Sequence, residues 1–165
     1  MNRRTLLATG SSILGIALLA GNRFALPARA ASAQSFPVMR SDAEWRKLLT
    51  PAQYTILRQA GTEFPGSSPL DHQFAPGRYD CAGCAQHLFM SDTKFDSGTG
   101  WPSFWAPIQN AVQTTTDNSA FMARTEVHCA NCGGHLGHVF DDGPKPTGLR
   151  YCMNGAVLAF HPTAA

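Results

Sequence analysis

The chain has 165 residues, 44% of them hydrophobic, with 13 basic and 11 acidic side chains. That length supports one domain with a modest core. The slight positive balance marks no nucleic-acid or membrane surface: Arg3, Arg4, Arg23 and Arg29 sit in the first thirty residues, and the rest carries nine basic against eleven acidic groups.

Residues 1–30 read as a secretory leader. Arg3-Arg4 follows a polar start, Thr5 to Gly21 is uncharged, and Ala28-Arg29-Ala30 is a small-x-small cleavage site. The paired arginines favour the twin-arginine route, which predicts a periplasmic protein that meets the membrane only transiently during export. An uncleaved anchor is the alternative, weakened because the apolar run of 17 residues falls short of a comfortable bilayer span.

Residues 31–40 show no periodicity and read as an N-terminal tail, so the folded domain is expected over 41–165. Two helices follow, each announced by a capping box: Ser41-x-x-Glu44, then Thr50-Pro51-x-Gln53 with proline at the first helical position. Gly61 is the expected left-handed cap of the second. Beyond it, glycine and proline recur between short alternating runs, a pattern of strands and turns. One strand is predicted from Phe121 to Val127 and another over roughly Arg150 to Phe160. The predicted fold is mainly β, antiparallel, with the helices on its N-terminal side.

Cys81-Ala-Gly-Cys84 and Cys129-Ala-Asn-Cys132 are two C-x-x-C turns separated by 44 residues. Two such turns supply four thiolates to a tetrahedral ion, and structural zinc is the expectation. A redox-active pair is one competitor, although Gly133-Gly134 starts a helix poorly. Replacement of a cysteine by His135 or His138 is another. In either zinc arrangement the ion joins the two halves of the chain and contributes to folding.

Cys152 is left over. On an extended Arg150-Tyr-Cys-Met-Asn154 segment, Arg150, Cys152 and Asn154 share a face, which favours a thiolate over a packed core cysteine. His135-Leu-Gly-His138 offers two imidazoles that converge only if the chain turns, as Gly137 permits, and either can donate a proton to a reacting oxygen. Trp101, between Gly100 and Pro102, is a candidate wall for a small apolar group such as a methyl. Phe104 is assigned to the same wall, although rings this dense more often fill a core. The residues alone also admit a metal-shaped protein-binding module, and a cysteine hydrolase with His138 as base for which no oxyanion-hole motif is present.

Together, Leu49-Thr-Pro-Ala-Gln-Tyr54, Gly61-Thr-Glu63, both cysteine pairs, Gly100-Trp-Pro-Ser-Phe104, His135-Leu-Gly-His-Val-Phe140, Asp142-Gly-Pro144 and Arg150-Tyr-Cys-Met-Asn154 resemble the methionine-R-sulfoxide reductases of the B type. The resemblance spans about Ser41 to Phe160. It implies two small antiparallel sheets, zinc on Cys81, Cys84, Cys129 and Cys132, and Cys152 as nucleophile toward the sulfoxide sulfur. It further implies His135 or His138 as proton donor, Asp142 and Arg150 orienting the histidines and stabilising the thiolate, a hydrogen bond from Asn154, and Trp101 receiving the ε-methyl. The implied partners are oxidised proteins or peptides, free methionine sulfoxide as a further substrate, and a thioredoxin-like or other thiol reductant; a monomer is expected. Many family members carry a second redox cysteine two residues before the tryptophan, where this chain has Thr99, so an external thiol is expected to regenerate Cys152.

Overall fold

A computed structural model describes residues 35–119 and 122–163. The leader and Phe121 lie outside the described residues. No described helix is long and apolar enough to cross a membrane.

Both capping boxes form as the sequence predicts, and they open α1 (Asp42–Leu48) and α2 (Pro51–Gln59). α2 ends differently: Ala60, at φ +52°, takes the left-handed position expected of Gly61. Gly61 instead lies against the helix end, where a Cβ would sit 2.9 Å from the Thr55 methyl. Trp45, Leu49, Tyr54, Ile56 and Leu57 form the buried face of the helical pair.

Among the described residues, nine strands make two antiparallel sheets. β1 (Gly77–Cys81) lies between β2 (His87–Met90) and β9 (Leu158–Pro162). The larger sheet contains β3 (Lys94–Phe95), β4 (Ser103–Phe104), β5 (Val112–Asp117), β6 (Arg124–Cys129), β7 (His135–Phe140) and β8 (Arg150–Met153). Its spatial order is β3-β4-β8-β7-β6-β5.

The single strand predicted over Arg150 to Phe160 is therefore two strands in different sheets. Between them Gly155–Val157 forms a 3-10 turn. The Glu63 carboxylate takes the backbone N–H groups of Gly155 and Ala156, the latter at 2.8 Å, and so holds the chain where it changes sheet.

Register sorts the larger sheet into two faces, because directly opposed residues in an antiparallel pair point the same way. Ser103 faces Cys152, Cys152 faces His138, His138 faces Glu126, and Glu126 faces Thr115, which makes one polar row across five strands. Phe104 faces Tyr151 on the opposite, core side. There Phe89 stacks on Phe104 at 4.3 Å and Tyr79 meets Phe104 edge-on at 5.0 Å. The tail is tied down as well: Val38 N–H donates to the Asn131 carbonyl at 2.8 Å, and Phe36 lies edge-on to His128 at 5.7 Å.

Candidate active site and metal centre

Cys81 ends β1 and Cys129 ends β6, so the cysteine turns close one strand from each sheet. In each turn a backbone N–H folds back onto the carbonyl of the first cysteine: Ala85 onto Cys81 at 2.8 Å and Gly133 onto Cys129 at 2.9 Å. Gly133 has φ +66°, a left-handed conformation that glycine accepts without a Cβ penalty.

The four sulfurs lie within 4.8 Å of one another, with Cys81 to Cys132 at 3.8 Å and Cys84 to Cys129 at 3.6 Å. Four thiolates about 2.3 Å from a tetrahedral ion are separated by about 3.8 Å, so this donor set fits such a metal. Without a cation, thiols this close must share protons. Those of Cys81 and Cys132 are pushed up, first by hydrogen bonding with Cys129. Neither pair opens a helix, and His135 and His138 are engaged elsewhere.

Cys152, midway along β8 between β4 and β7, is the cysteine outside this cluster. It opens into a pocket of about 140 Å³ lined by Thr62, Trp101, Arg124, His138, Phe140 and Asn154, among others. Burial pushes its thiol up, and this outweighs the opposing help from Thr99 and Arg150. Desolvation therefore favours the neutral thiol, in contrast to the thiolate expected from its neighbours in sequence. Thr99 Oγ1 lies 3.9 Å from the sulfur. A hydroxyl chain runs on from Thr99 to Ser97 at 2.8 Å and from Ser97 to Ser103 at 2.7 Å.

The two imidazoles converge without the turn that the sequence suggested at Gly137. β7 carries a bulge: His135 opposes His128 while Gly137 opposes Val127, which leaves Leu136 as the extra residue. The bulge puts residues three apart on one face, with the rings in edge contact at 5.3 Å. Gly137 has another task. A Cβ there would lie 2.1 Å from the Cys152 carbonyl oxygen and 3.0 Å from the Met153 Cα, so its hydrogen side chain lets β8 approach.

Each histidine meets a carboxylate. His138 Nε2 is 2.8 Å from Asp117 Oδ2, and His135 Nδ1 is 2.8 Å from Glu126 Oε1. Hydrogen bonds from Ser119, then His138, hold Asp117 far below the ordinary carboxylate range, so it remains an acceptor and fixes the proton of His138 on Nε2. Arg124 donates to the same oxygen at 2.6 Å. His135 lies deeper, outside the thiol pocket; desolvation lowers its pKa despite Glu126, and its Nε2 is buried without a partner.

Several expected site residues take other positions. Asp142 touches neither histidine: it forms a two-pronged pair with Arg150 at 2.8 and 2.7 Å, and the histidines are held by Asp117 and Glu126 instead. Arg150 lies over the Phe140 ring at 4.4 Å. The Asn154 side chain lines the pocket, but its hydrogen bonds go to backbone, donating to the Leu136 carbonyl at 3.0 Å and accepting from Glu63 N–H at 2.9 Å. Phe104 is fully buried on the far face from Cys152, which rules out substrate contact and makes it a core residue.

Trp101 does reach the pocket, and its indole N–H donates to the Glu63 carbonyl at 3.3 Å. Glu63 therefore fixes Trp101, Asn154 and the Gly155 turn together. Sequence reasoning did not single it out as a site residue, nor Asp117, Arg124 or Glu126. The alternation Arg124, Glu126, His128 was a signal for the polar face of β6; the pairing of Asp117 with Arg124 depends on hairpin register.

Residues 49–162 match the SelR domain. The chain belongs to the SelR domain family. A peptide methionine sulfoxide reductase MsrB of Agrobacterium fabrum is 56% identical over 126 residues, covering 76% of this chain and 93% of that protein. The MsrB of Methanosarcina mazei is 55% identical over 124 residues, covering 74% and 89%. The chloroplastic peptide methionine sulfoxide reductase B1 of Arabidopsis thaliana is 57% identical over 119 residues, covering 72% and 59%. The SelR match takes in both cysteine turns, the polar row and the Cys152 pocket of this domain.

Proposed function

We propose that this SelR domain, a peptide-methionine (R)-S-oxide reductase, transfers the sulfoxide oxygen to Cys152 and repairs oxidised methionine in proteins. The carrying observation is a lone cysteine, outside the four-sulfur cluster, facing His138 and Trp101 in one pocket. The Trp101 indole serves as a fixed wall for the ε-methyl. With the methyl on one side and the proton donor on the other, the chiral sulfur fits in one hand, and that hand is R.

As substrate enters, the Cys152 thiol passes its proton to the free ring nitrogen of His138, which Asp117 holds through Nε2, and the same proton goes on to the sulfoxide oxygen. The thiolate left beside Arg150 attacks the sulfoxide sulfur and forms an S–S bond. That bond and the S–O bond to methionine then break as the hydroxyl passes to Cys152, giving methionine and a cysteine sulfenic acid. Two equivalents of an external thiol then reduce it, yielding a disulfide, water and the Cys152 thiol. Free methionine sulfoxide is a further substrate. Zinc is the ion that best suits four thiolates on Cys81, Cys84, Cys129 and Cys132, and its chemistry there is structural, tying the two sheets.

The leader motif supports export by the twin-arginine route and action in the periplasm. Fractionation of cells expressing wild type and a variant with Arg3 and Arg4 replaced by Lys tests this: retention of the variant in the cytoplasm is expected, and unchanged export refutes it. For the chemistry, the test is turnover of separated R and S epimers with dithiothreitol by wild type and Cys152→Ser. R-specific turnover lost in the variant is expected; S turnover, or an active Cys152→Ser, refutes the proposal.

A further inference from the structure

A larger groove of about 650 Å³ lies beside the thiol pocket. Its apolar walls are Pro51, Ala52 and Ile56 of α2, Phe64, Pro69 and Ala156, and Thr55, Thr62, Ser67 and Ser68 line it as well. The charged residue on the wall, Glu63, turns its carboxylate to the N–H groups of Gly155 and Ala156. Phe64 stands at the rim with 85% of its surface exposed, the most exposed large hydrophobic side chain among the described residues. An aromatic ring left in water beside an apolar trough is the mark of a contact surface.

The groove is continuous with the thiol pocket. Thr62 lines both, and Asn154 of the pocket is two residues from Ala156 of the groove. Two residues of backbone span at most about 7.2 Å between Cα atoms. Two residues of an extended peptide cover about 6.8 Å, so a polypeptide with its oxidised methionine at Cys152 reaches the groove with a side chain about two positions away.

We propose that this groove is a second substrate subsite, which takes an aliphatic or aromatic side chain of the oxidised polypeptide about two residues from the methionine sulfoxide. The inference rests on the reductase function proposed above. It assigns the groove to substrate chain, gives free methionine sulfoxide no access to it, and makes the enzyme selective for oxidised methionines with apolar neighbours. Chemistry at Cys152 is unchanged; the groove contributes binding.

The test uses the full chain with dithiothreitol and two blocked pentapeptides that carry methionine R-sulfoxide at the centre, one with leucine and one with serine at both ends. Wild type is expected to show kcat/KM roughly tenfold higher for the leucine peptide, from partial burial of one leucine. Phe64→Ser and Ala52→Glu both change exposed positions, and both should bring that ratio to within about twofold of one, mainly through KM for the leucine peptide. A wild-type ratio near one, or a ratio that persists in both variants, overturns the subsite. So does a dimer in size-exclusion chromatography that Phe64→Ser dissolves, which would give the groove to a second copy of the chain. Turnover of free methionine R-sulfoxide by wild type reports separately on the reductase function, and its absence alongside inactivity on both peptides would overturn that function and the subsite together.

Discussion

Gly137→Ala adds one methyl group at the closest approach of β7 to β8. The new Cβ would lie 2.1 Å from the Cys152 carbonyl oxygen. Ordinary carbon–oxygen contact needs about 3.2 Å, so β8 must retreat by roughly 1 Å and carry the nucleophile away from His138. Overpacking of this kind costs about 1–3 kcal/mol, which corresponds to a Tm drop of roughly 4–12 °C in a domain of this size. The displacement should cost more in rate than in stability, since misplacing reacting groups by about 1 Å can cost about 100-fold. Paired measurements of kcat/KM on a blocked methionine R-sulfoxide and of thermal unfolding check both effects. Gly148→Ala is the control: its φ is +74° with nothing within 4 Å of the added Cβ, so it should lose about 1 kcal/mol to backbone strain alone. A Gly137→Ala enzyme with wild-type kcat/KM and wild-type Tm would refute the reasoning about strand approach.

Three further outcomes are expected. Thr99→Cys places a thiol beside Cys152, where Thr99 Oγ1 is now 3.9 Å from the sulfur and the flanking Gly98 and Gly100 give the loop freedom to close the bond; one turnover without reductant should yield an intramolecular disulfide by peptide mapping, and a persistent sulfenic acid would count against this placement. Burial raises the Cys152 pKa, and the thiolate is the reactive form, so alkylation should accelerate as pH rises with a midpoint above that of an unburied cysteine. Arg150→Met should move that midpoint higher still, whereas a midpoint on the acid side of an ordinary cysteine would contradict the burial argument. Chelation of the purified protein should lower Tm by at least roughly 10 °C and loosen both sheets, because the four sulfurs join β1 to β6; an unchanged melting temperature would contradict it.

What could be read in advance was local or strongly patterned. Both capping boxes depend on residues three apart, and both form where expected. The C-x-x-C turns carry their geometry within four residues, so the four-cysteine cluster was visible although its halves lie in different sheets. Long-range pairing was not visible. Glu63 caps a turn more than ninety residues away, and nothing near it in the chain reveals that it ends one strand and starts another. The bulge at Leu136 leaves no compositional trace, yet it decides which face each histidine occupies. Phe104, assigned to the substrate wall with Trp101, lies in the core instead, because one step of strand alternation past Ser103 turns its ring to the opposite face. The family resemblance implies Asp142 as the group that orients the histidines, but it pairs with Arg150, and the carboxylates that hold the histidines come from β5 and β6.

The account depends most directly on where the oxygen goes. Wild-type protein given one equivalent of a methionine R-sulfoxide peptide and no reductant should, on trapping and peptide mapping by mass spectrometry, carry one added oxygen on Cys152 while Cys81, Cys84, Cys129 and Cys132 remain unmodified. Oxygen on any of those four with Cys152 intact, or methionine formed with no change at Cys152, would contradict it.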